Sequence, residues 1–157
     1  QGACHAGAGV LHRAFSLVLF HPAGELLLQH RSEGKRLWPL VWSNSGCSHP
    51  RRGARMEVAP ERRLDPELGM SSRLHHLFTF QYQAPYLDLG SENELCWVYA
   101  GSSGQQPQPN QHEVAAVRWI APADLDREFE TRPEIFTPWF TMEWVRVRKD
   151  FREKLGL

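Results

Sequence analysis

The stretch Trp42-Ser43-Asn44-Ser45-Gly46-Cys47-Ser48-His49-Pro50 carries neither a helical nor a strand period, yet the chain is arranged around it. Two strand-like segments and the basic tract Arg31 to Arg36 precede it, and a helix-like segment ending in Glu67-Leu68-Gly69 follows. A fold built on this pattern must leave a small polar loop, with a cysteine and a histidine in it, at the junction of strands and helix. The chain has 157 residues, enough for one domain that buries about two-thirds of its unfolded surface. Its 18 basic and 18 acidic residues cancel. That balance argues against general nucleic-acid binding, which needs a basic field, but leaves room for a local basic pocket. No apolar run approaches the ~20 residues of a membrane-spanning helix. The three cysteines, Cys4, Cys47 and Cys96, are odd in number and form no CxxC pair. They suggest no disulfide framework, and a reducing cytoplasm is the expected setting. The first residue is Gln1; a trimmed start and no signal peptide are expected.

Residues 1–12 are Gly/Ala-rich and read as a bland tail, troubled only by His5 and His12. Arg13 to His21 and Glu25 to His30 read as strands around the turn Pro22-Ala23-Gly24. Arg51 to Arg55 is basic and exposed. A helix is expected from about Val58, with Pro60 tolerated near its start and an early end or a distortion at Pro66. Gly69 is its stop. Strands are expected over His76–Gln83, Glu94–Ala100 and Val114–Ile120, with a loop over Ala84–Glu92 and a surface linker over Gly101–Gln111. A helix begins at Pro122, and a second, long and amphipathic, begins near Thr131 and runs to Phe151. The pattern is that of a single mixed α/β layered domain.

Three imidazoles (His5, His12, His49) and two carboxylates (Glu92, Glu94) are candidate metal ligands. In an extended chain Glu92 and Glu94 project to one face. Histidine with carboxylate suits Zn, Mn or Fe(II), and two carboxylates favour Mn or Mg over a purely soft metal. Cys47, beside a histidine and small polar residues, is a candidate acid, base or nucleophile; a buried structural thiol is the alternative. Among the basic residues, Arg31, Lys35 and Arg63 are the ones expected to face an anionic ligand. Trp38, Trp42, Tyr82 and Trp139 are core aromatics whose faces could also stabilise a cation.

Taken together, Leu11-His12-Arg13-Ala14-Phe15-Ser16, Gln29-His30-Arg31-Ser32, the loop Asn44 to Pro50, Arg62-Arg63-Leu64 with Glu67-Leu68-Gly69, Glu92-Asn93-Glu94 and Phe136-Thr137-Pro138-Trp139 resemble the type 1 isopentenyl-diphosphate isomerases. The resemblance runs in order from about His5 to Trp139. It implies a Nudix-type fold, a mixed β-sheet between helices, spanning residues 1–157, with residues 1–12 contributing metal-binding histidines. It also implies interconversion of isopentenyl and dimethylallyl diphosphate through a tertiary carbocation. On this reading His5, His12, His49, Glu92 and Glu94 hold a first divalent metal (Mn2+, Mg2+ or Zn2+), and Glu94 also moves a proton. Cys47 is the other acid/base group, and Tyr82 assists Glu94. Glu67 and the Cys47 carbonyl bind a Mg2+ that arrives with the diphosphate. Arg31, Lys35, Ser48 and Arg63 contact the diphosphate, and Trp139 lies against the cationic carbon. The expected partner is a small prenyl diphosphate, without nucleic acid or membrane, on a cytoplasmic monomer.

The sequence departs from the family at several points. A lysine of the family pattern would fall at or before Gln1, Leu40 follows Pro39 where glycine is usual, and Pro60 and Pro66 lie in the helix that presents Arg63 and Glu67. Two other functions compete with isomerisation. A Nudix hydrolase needs a carboxylate cluster on that helix, but Arg63 and Pro66 occupy the positions and only Glu67 remains. A catalytically weakened prenyl-diphosphate-binding protein is the other reading, and the two prolines favour it.

Overall fold

In the computed structural model, residues 2–157 are described. Strand β1 (His12–Phe20) is buried from Ala14 through Phe20, as befits a strand covered on both faces. Phe15, Leu17 and Leu19 pack with Leu64 and Leu68 of helix α1 (Ala59–Leu68). Ala14, Val18 and Phe20 point the other way. They meet Leu125 of α2 (Pro122–Thr131) and Phe140, Trp144 and Val147 of α3 (Pro138–Asp150). The period of two in one strand thus builds a core on each side of the sheet.

The remaining strands are β2 (Leu26–Arg31), β3 (Trp42–Ser43), β4 (Gly46–Ser48), β5 (Leu74–Tyr86), β6 (Gly90–Ser102) and β7 (Val114–Ile120). The seven-stranded sheet follows the path β3-β2-β1-β6-β5, with β4 on β1 and β7 on β2. Among the strand pairings of the described residues, β1–β6 is parallel and the others are antiparallel. This is the expected mixed sheet between helices. Among the described residues, no helix is long and apolar enough to cross a membrane.

Several boundaries differ from those expected. The Trp42–Pro50 stretch is not structureless: it contains β3 and β4, too short to show a period. Ala84–Glu92 is not a loop but the end of a long hairpin, in which Ala84 pairs with Glu92 and Pro85 with Ser91. Pro85 is accommodated because β5 is an edge strand. Helix α1 runs through Pro66 to Leu68 and ends at Gly69 in the left-handed conformation (φ 61°). Pro66 lies in the last turn, where little helix remains to be disrupted. The final helix starts at Pro138, not near Thr131. The chain first makes a 3-10 turn (Pro133–Ile135), and Phe136 then bridges Trp42 in extended form. Gly101 and Ser102 belong to β6, and the rest of the supposed linker is tied down: Gln108 and Asn110 donate backbone N–H bonds to the carbonyls of Leu68 (2.7 Å) and Glu67 (2.9 Å).

Candidate active site

The small polar residues before Cys47 are internal, not solvent-facing. Ser43, Asn44 and Ser45 are fully buried. The Ser45 hydroxyl donates to the Leu27 carbonyl (2.6 Å) and accepts from the Leu19 N–H (2.8 Å). Asn44 donates to the carbonyls of Gly46 (2.7 Å) and Leu17 (3.3 Å). Serine and asparagine side chains here supply partners for the backbone of Leu17, Leu19, Leu27 and Gly46. The result is a fixed register in which Cys47 lies opposite Ser16 and Ser48 opposite Phe15 on β1.

Register also assembles the histidines and carboxylates. Glu94 sits on β6 between its paired residues His12 on β1 and Tyr82 on β5. Tyr82 Oη donates to Glu94 Oε2 (2.6 Å), while Glu94 Oε1 lies 2.6 Å from His49 Nε2 and 3.4 Å from His12 Nε2. Two residues back on the same face, Glu92 Oε2 stands 2.9 Å from His5 Nδ1. Neither of those last two atoms, nor His12 Nε2, has a properly directed hydrogen bond among the described residues, though all are buried. One ligand atom from each of His5, His12, His49 and Glu92 lies within 4.8 Å of the others. Three imidazoles and a carboxylate brought together in this way form a group able to hold a divalent cation. Glu94, the fifth expected ligand, is not one of those four and meets the group through His49 and His12.

The N-terminal segment is part of this site. His5 closes a 3-10 turn (Gly2–His5). Val10 N–H bonds the Cys4 carbonyl (2.8 Å), and the side chains of Gln83 and Asn93 donate to the carbonyls of Ala8 (2.5 Å) and Gly9 (3.2 Å). Gly90 has φ +153°, and a β-carbon there would lie 2.2 Å from the His5 carbonyl oxygen. Only glycine lets the turn settle on the hairpin.

The electrostatics divide the groups by protonation state. Burial would raise Glu94, but the His12 imidazole close by and hydrogen bonds to His49 and Tyr82 override it and hold the carboxylate well below the usual range. Burial and the neighbouring Glu94 charge push Glu92 up. Burial and the neighbouring imidazoles lower His5, leaving it neutral with a free lone pair. Burial raises Tyr82, so it stays a donor. Burial pushes the Cys47 thiol up to about 12 against the opposing pull of Arg31.

One cavity of about 280 Å3 is lined by His5, His49, Glu92, Glu94, Cys47 and Tyr82 together with Ser48, Arg31, Lys35, Arg63 and Trp139. Arg31 is buried and fixed: Nε and Nη2 donate to the carbonyls of Trp38 and Leu37 (both 2.9 Å), and Nη1 reaches the Cys47 sulfur (3.8 Å). Its guanidinium also lies 5.2 Å from the Trp139 ring centre. The turn carrying those carbonyls places Trp38 (φ 48°) and Leu40 (φ 53°) in the left-handed region. That conformation explains why glycine suits position 40 and why leucine there is strained. Glu67 is buried beneath Gly46, where a β-carbon would meet Glu67 Oε1 at 3.6 Å. It accepts from Arg63 Nε (2.9 Å). Pro60 and Pro66 therefore do not displace Arg63 and Glu67 from the site.

Two acids of the interior and the cavity wall are not legible in the sequence. Glu113 lines the cavity and holds both Lys35 and Arg63. It follows an aperiodic segment and meets partners 78 and 50 positions away, so no local signal marks it. Glu143 lies fully buried on α3, one turn beyond Trp139, with no well-formed hydrogen bond to either carboxyl oxygen among the described residues. Glu143 sits on what reads as an ordinary apolar helix face.

The NUDIX domain family matches residues 10–140. The chain is 37% identical over 153 residues to the isopentenyl-diphosphate Delta-isomerase 1 of Photorhabdus laumondii, covering 96% of this chain and 87% of that one. It is 41% identical over 155 residues to the isopentenyl-diphosphate Delta-isomerase of Kocuria rhizophila, covering 97% and 84%. Among solved structures it resembles the MutT protein of Methanosarcina mazei (TM-score 0.70, 14% identity, 89% of this chain and 96% of that one), a likeness of fold alone.

Proposed function

The chain belongs to the Nudix family and, within it, to the isopentenyl-diphosphate Delta-isomerases, and on that footing we propose that it interconverts isopentenyl and dimethylallyl diphosphate by an allylic proton shift. The observation that carries the reading is that Cys47 and Glu94 line one cavity; burial raises the thiol, and the imidazoles and Tyr82 hold the carboxylate low.

Such a shift needs two groups, each able to hold one proton. One delivers a proton to the terminal carbon of the double bond, forming a C–H bond and leaving a tertiary cation. The other removes a proton from the carbon on the far side, and those electrons become the new double bond. Cys47 and Glu94 fill these roles and exchange them in the reverse direction. Tyr82 holds Glu94 by its 2.6 Å hydrogen bond, fixing which oxygen faces the substrate. The indole of Trp139, buried among Trp38 and Tyr82, offers a π face to the cation, which must be shielded from water that would trap it.

Arg31, Lys35, Ser48 and Arg63 hold the diphosphate at the other end, which positions the alkene between the proton carriers. His5, His12, His49, Glu92 and Glu94 would hold the first divalent metal, and Glu67 with the Cys47 carbonyl would hold the Mg2+ of the bound diphosphate. Bound metal supplies positive charge that steadies the carboxylates and the phosphate oxygens. Since one chain furnishes every group of the cavity, a monomer suffices; a cytoplasmic setting accords with three free cysteines. Hydrolysis is disfavoured because α1 presents Arg63 and Pro66 where a carboxylate cluster would be needed.

The test is incubation with isopentenyl diphosphate and Mg2+ in deuterated water. Dimethylallyl diphosphate carrying deuterium is the expected product; released phosphate, or no conversion, overturns the reading.

A further inference from the structure

Glu113 stands at the diphosphate end of the cavity, outside every role assigned above. One of its carboxylate oxygens takes the Lys35 ammonium, and the other lies 3.4 Å from Arg63 Nη2. Arg63 is held from its other edge by Glu67, through Nε at 2.9 Å. The backbone around Glu113 is anchored in the same two directions. Asn110 N–H bonds the Glu67 carbonyl at the end of α1 (2.9 Å), and Glu113 N–H bonds the Asn110 carbonyl (2.9 Å). On the opposite side, the Ser32 N–H bonds the Glu113 carbonyl (3.2 Å), and the Ser32 hydroxyl bonds that of His112 (2.9 Å). Ser32 opens the turn that carries Lys35, whose own N–H returns to the Ser32 carbonyl (3.2 Å). A short strap therefore ties the helix bearing Arg63 to the turn bearing Lys35, with one carboxylate between the two cations.

We propose that Glu113 is a positioning residue that sets the spacing and direction of Lys35 and Arg63, so that they form a ready clamp for a diphosphate. This rests on the reading of Lys35 and Arg63 as diphosphate contacts. Three physical points support it. First, a lysine ammonium sits on a flexible four-carbon stem and needs a partner to occupy one place. Second, ion pairs as exposed as Lys35–Glu113, about 30% on each side, contribute little to stability, so stability alone does not account for the pair. Third, the clamp is not used up by Glu113: an ammonium has three donors and a guanidinium five, and Glu113 engages one group of each. The remaining donors are left for phosphate oxygens. The carboxylate also sits between two like charges whose repulsion would otherwise spread them apart.

The test is a double-mutant cycle. Binding of inorganic pyrophosphate with Mg2+ is measured by calorimetry for the wild type, Glu113→Gln, Lys35→Ala and the double variant, together with KM and kcat for isopentenyl diphosphate and the melting temperature. Glu113→Gln is expected to weaken pyrophosphate binding about tenfold and to raise KM equally, with kcat within about twofold; in the Lys35→Ala background the further loss shrinks to about threefold or less, as coupled residues require. Glu113→Asp is expected to recover part of the affinity. Unchanged or tighter binding in Glu113→Gln would mean that the carboxylate merely competes with the ligand, and would overturn the proposal. Full additivity with Lys35→Ala, or a fall in kcat and melting temperature with KM unmoved, would overturn it as well. A wild type that binds pyrophosphate but converts no isopentenyl diphosphate would sink the isomerase reading while leaving this cycle interpretable.

Discussion

Replacing Glu143 by glutamine should make the protein more stable at pH 7, and the size of the gain follows from where the carboxyl sits. Glu143 is fully buried on α3, neither oxygen has a well-formed hydrogen bond among the described residues, and burial pushes its pKa from 4.5 to about 8 despite the nearby Ser16 hydroxyl. The folded protein therefore holds a proton that the unfolded chain gives up near pH 4.5. A folded pKa above the unfolded one means that this group's contribution is intact below pH 4.5, declines as pH rises and is fully lost above about 8. Each pH unit in that window costs about 1.4 kcal/mol, so keeping the proton at pH 7 costs about 3 kcal/mol. Glutamine has nearly the same shape and no proton to lose. Glu143→Gln should gain about 2–3 kcal/mol at pH 7, which for a chain of this size is about 5–10 °C in melting temperature. Thermal and urea melts of both proteins at pH 5, 7 and 8.5, with chelator present throughout, read it directly. The two stabilities should converge near pH 5 and separate as pH rises. Parallel pH profiles would refute the reasoning, because Glu143 would then carry the same charge in the folded and unfolded chains.

Other perturbations have equally definite outcomes. Gly90→Ala places a β-carbon against the His5 carbonyl and should dislodge the N-terminal turn. Metal content measured by mass spectrometry should fall about tenfold or more, while the melting temperature of the chelated protein drops only slightly. Glu94→Gln removes a carboxylate that His12, His49 and Tyr82 all address, and should lose both the bound metal and turnover; retention of normal metal content would show the ligand set to be wrong. Tyr82→Phe deletes one 2.6 Å donor to Glu94 and should cost about 1.5–3 kcal/mol of transition-state stabilisation, or about 10- to 150-fold in kcat. An unchanged kcat would show that the phenol does not steady the proton carrier.

Much of the fold can be read from the chain because β1, β2 and β7 are apolar runs bounded by turn residues, and their local pattern agrees with their tertiary place. The exceptions share a cause: tertiary position overrode local composition. Pro85 marks a loop by itself but is harmless on an edge strand, so the hairpin extends past it to Tyr86. Pro66 signals a break, yet it falls in the last helical turn, and Gly69 supplies the actual stop. Ser43, Asn44 and Ser45 look like a solvated loop, but their hydroxyls and amide replace missing strand bonds in the interior. Within the site, residue types and spacing pointed to His49, Glu92, Glu94 and Cys47, whereas His5 and His12 stood in a stretch without any period. What secures His5 is Gly90, 85 residues later, whose missing side chain admits the turn. Glu113 and Glu143 left no trace in the sequence, because their significance lies wholly in partners brought close by folding.

The proposed pairing of Cys47 and Glu94 as proton carriers is best tested by following conversion of isopentenyl diphosphate in deuterated water, by proton NMR, with wild type, Cys47→Ala and Glu94→Gln side by side. The wild type should give deuterated dimethylallyl diphosphate. Cys47→Ala should fold and bind pyrophosphate normally, yet convert less than about one part in a thousand of the wild-type rate, since one of two proton carriers is gone. Wild-type turnover and deuterium content in Cys47→Ala would contradict the assignment outright.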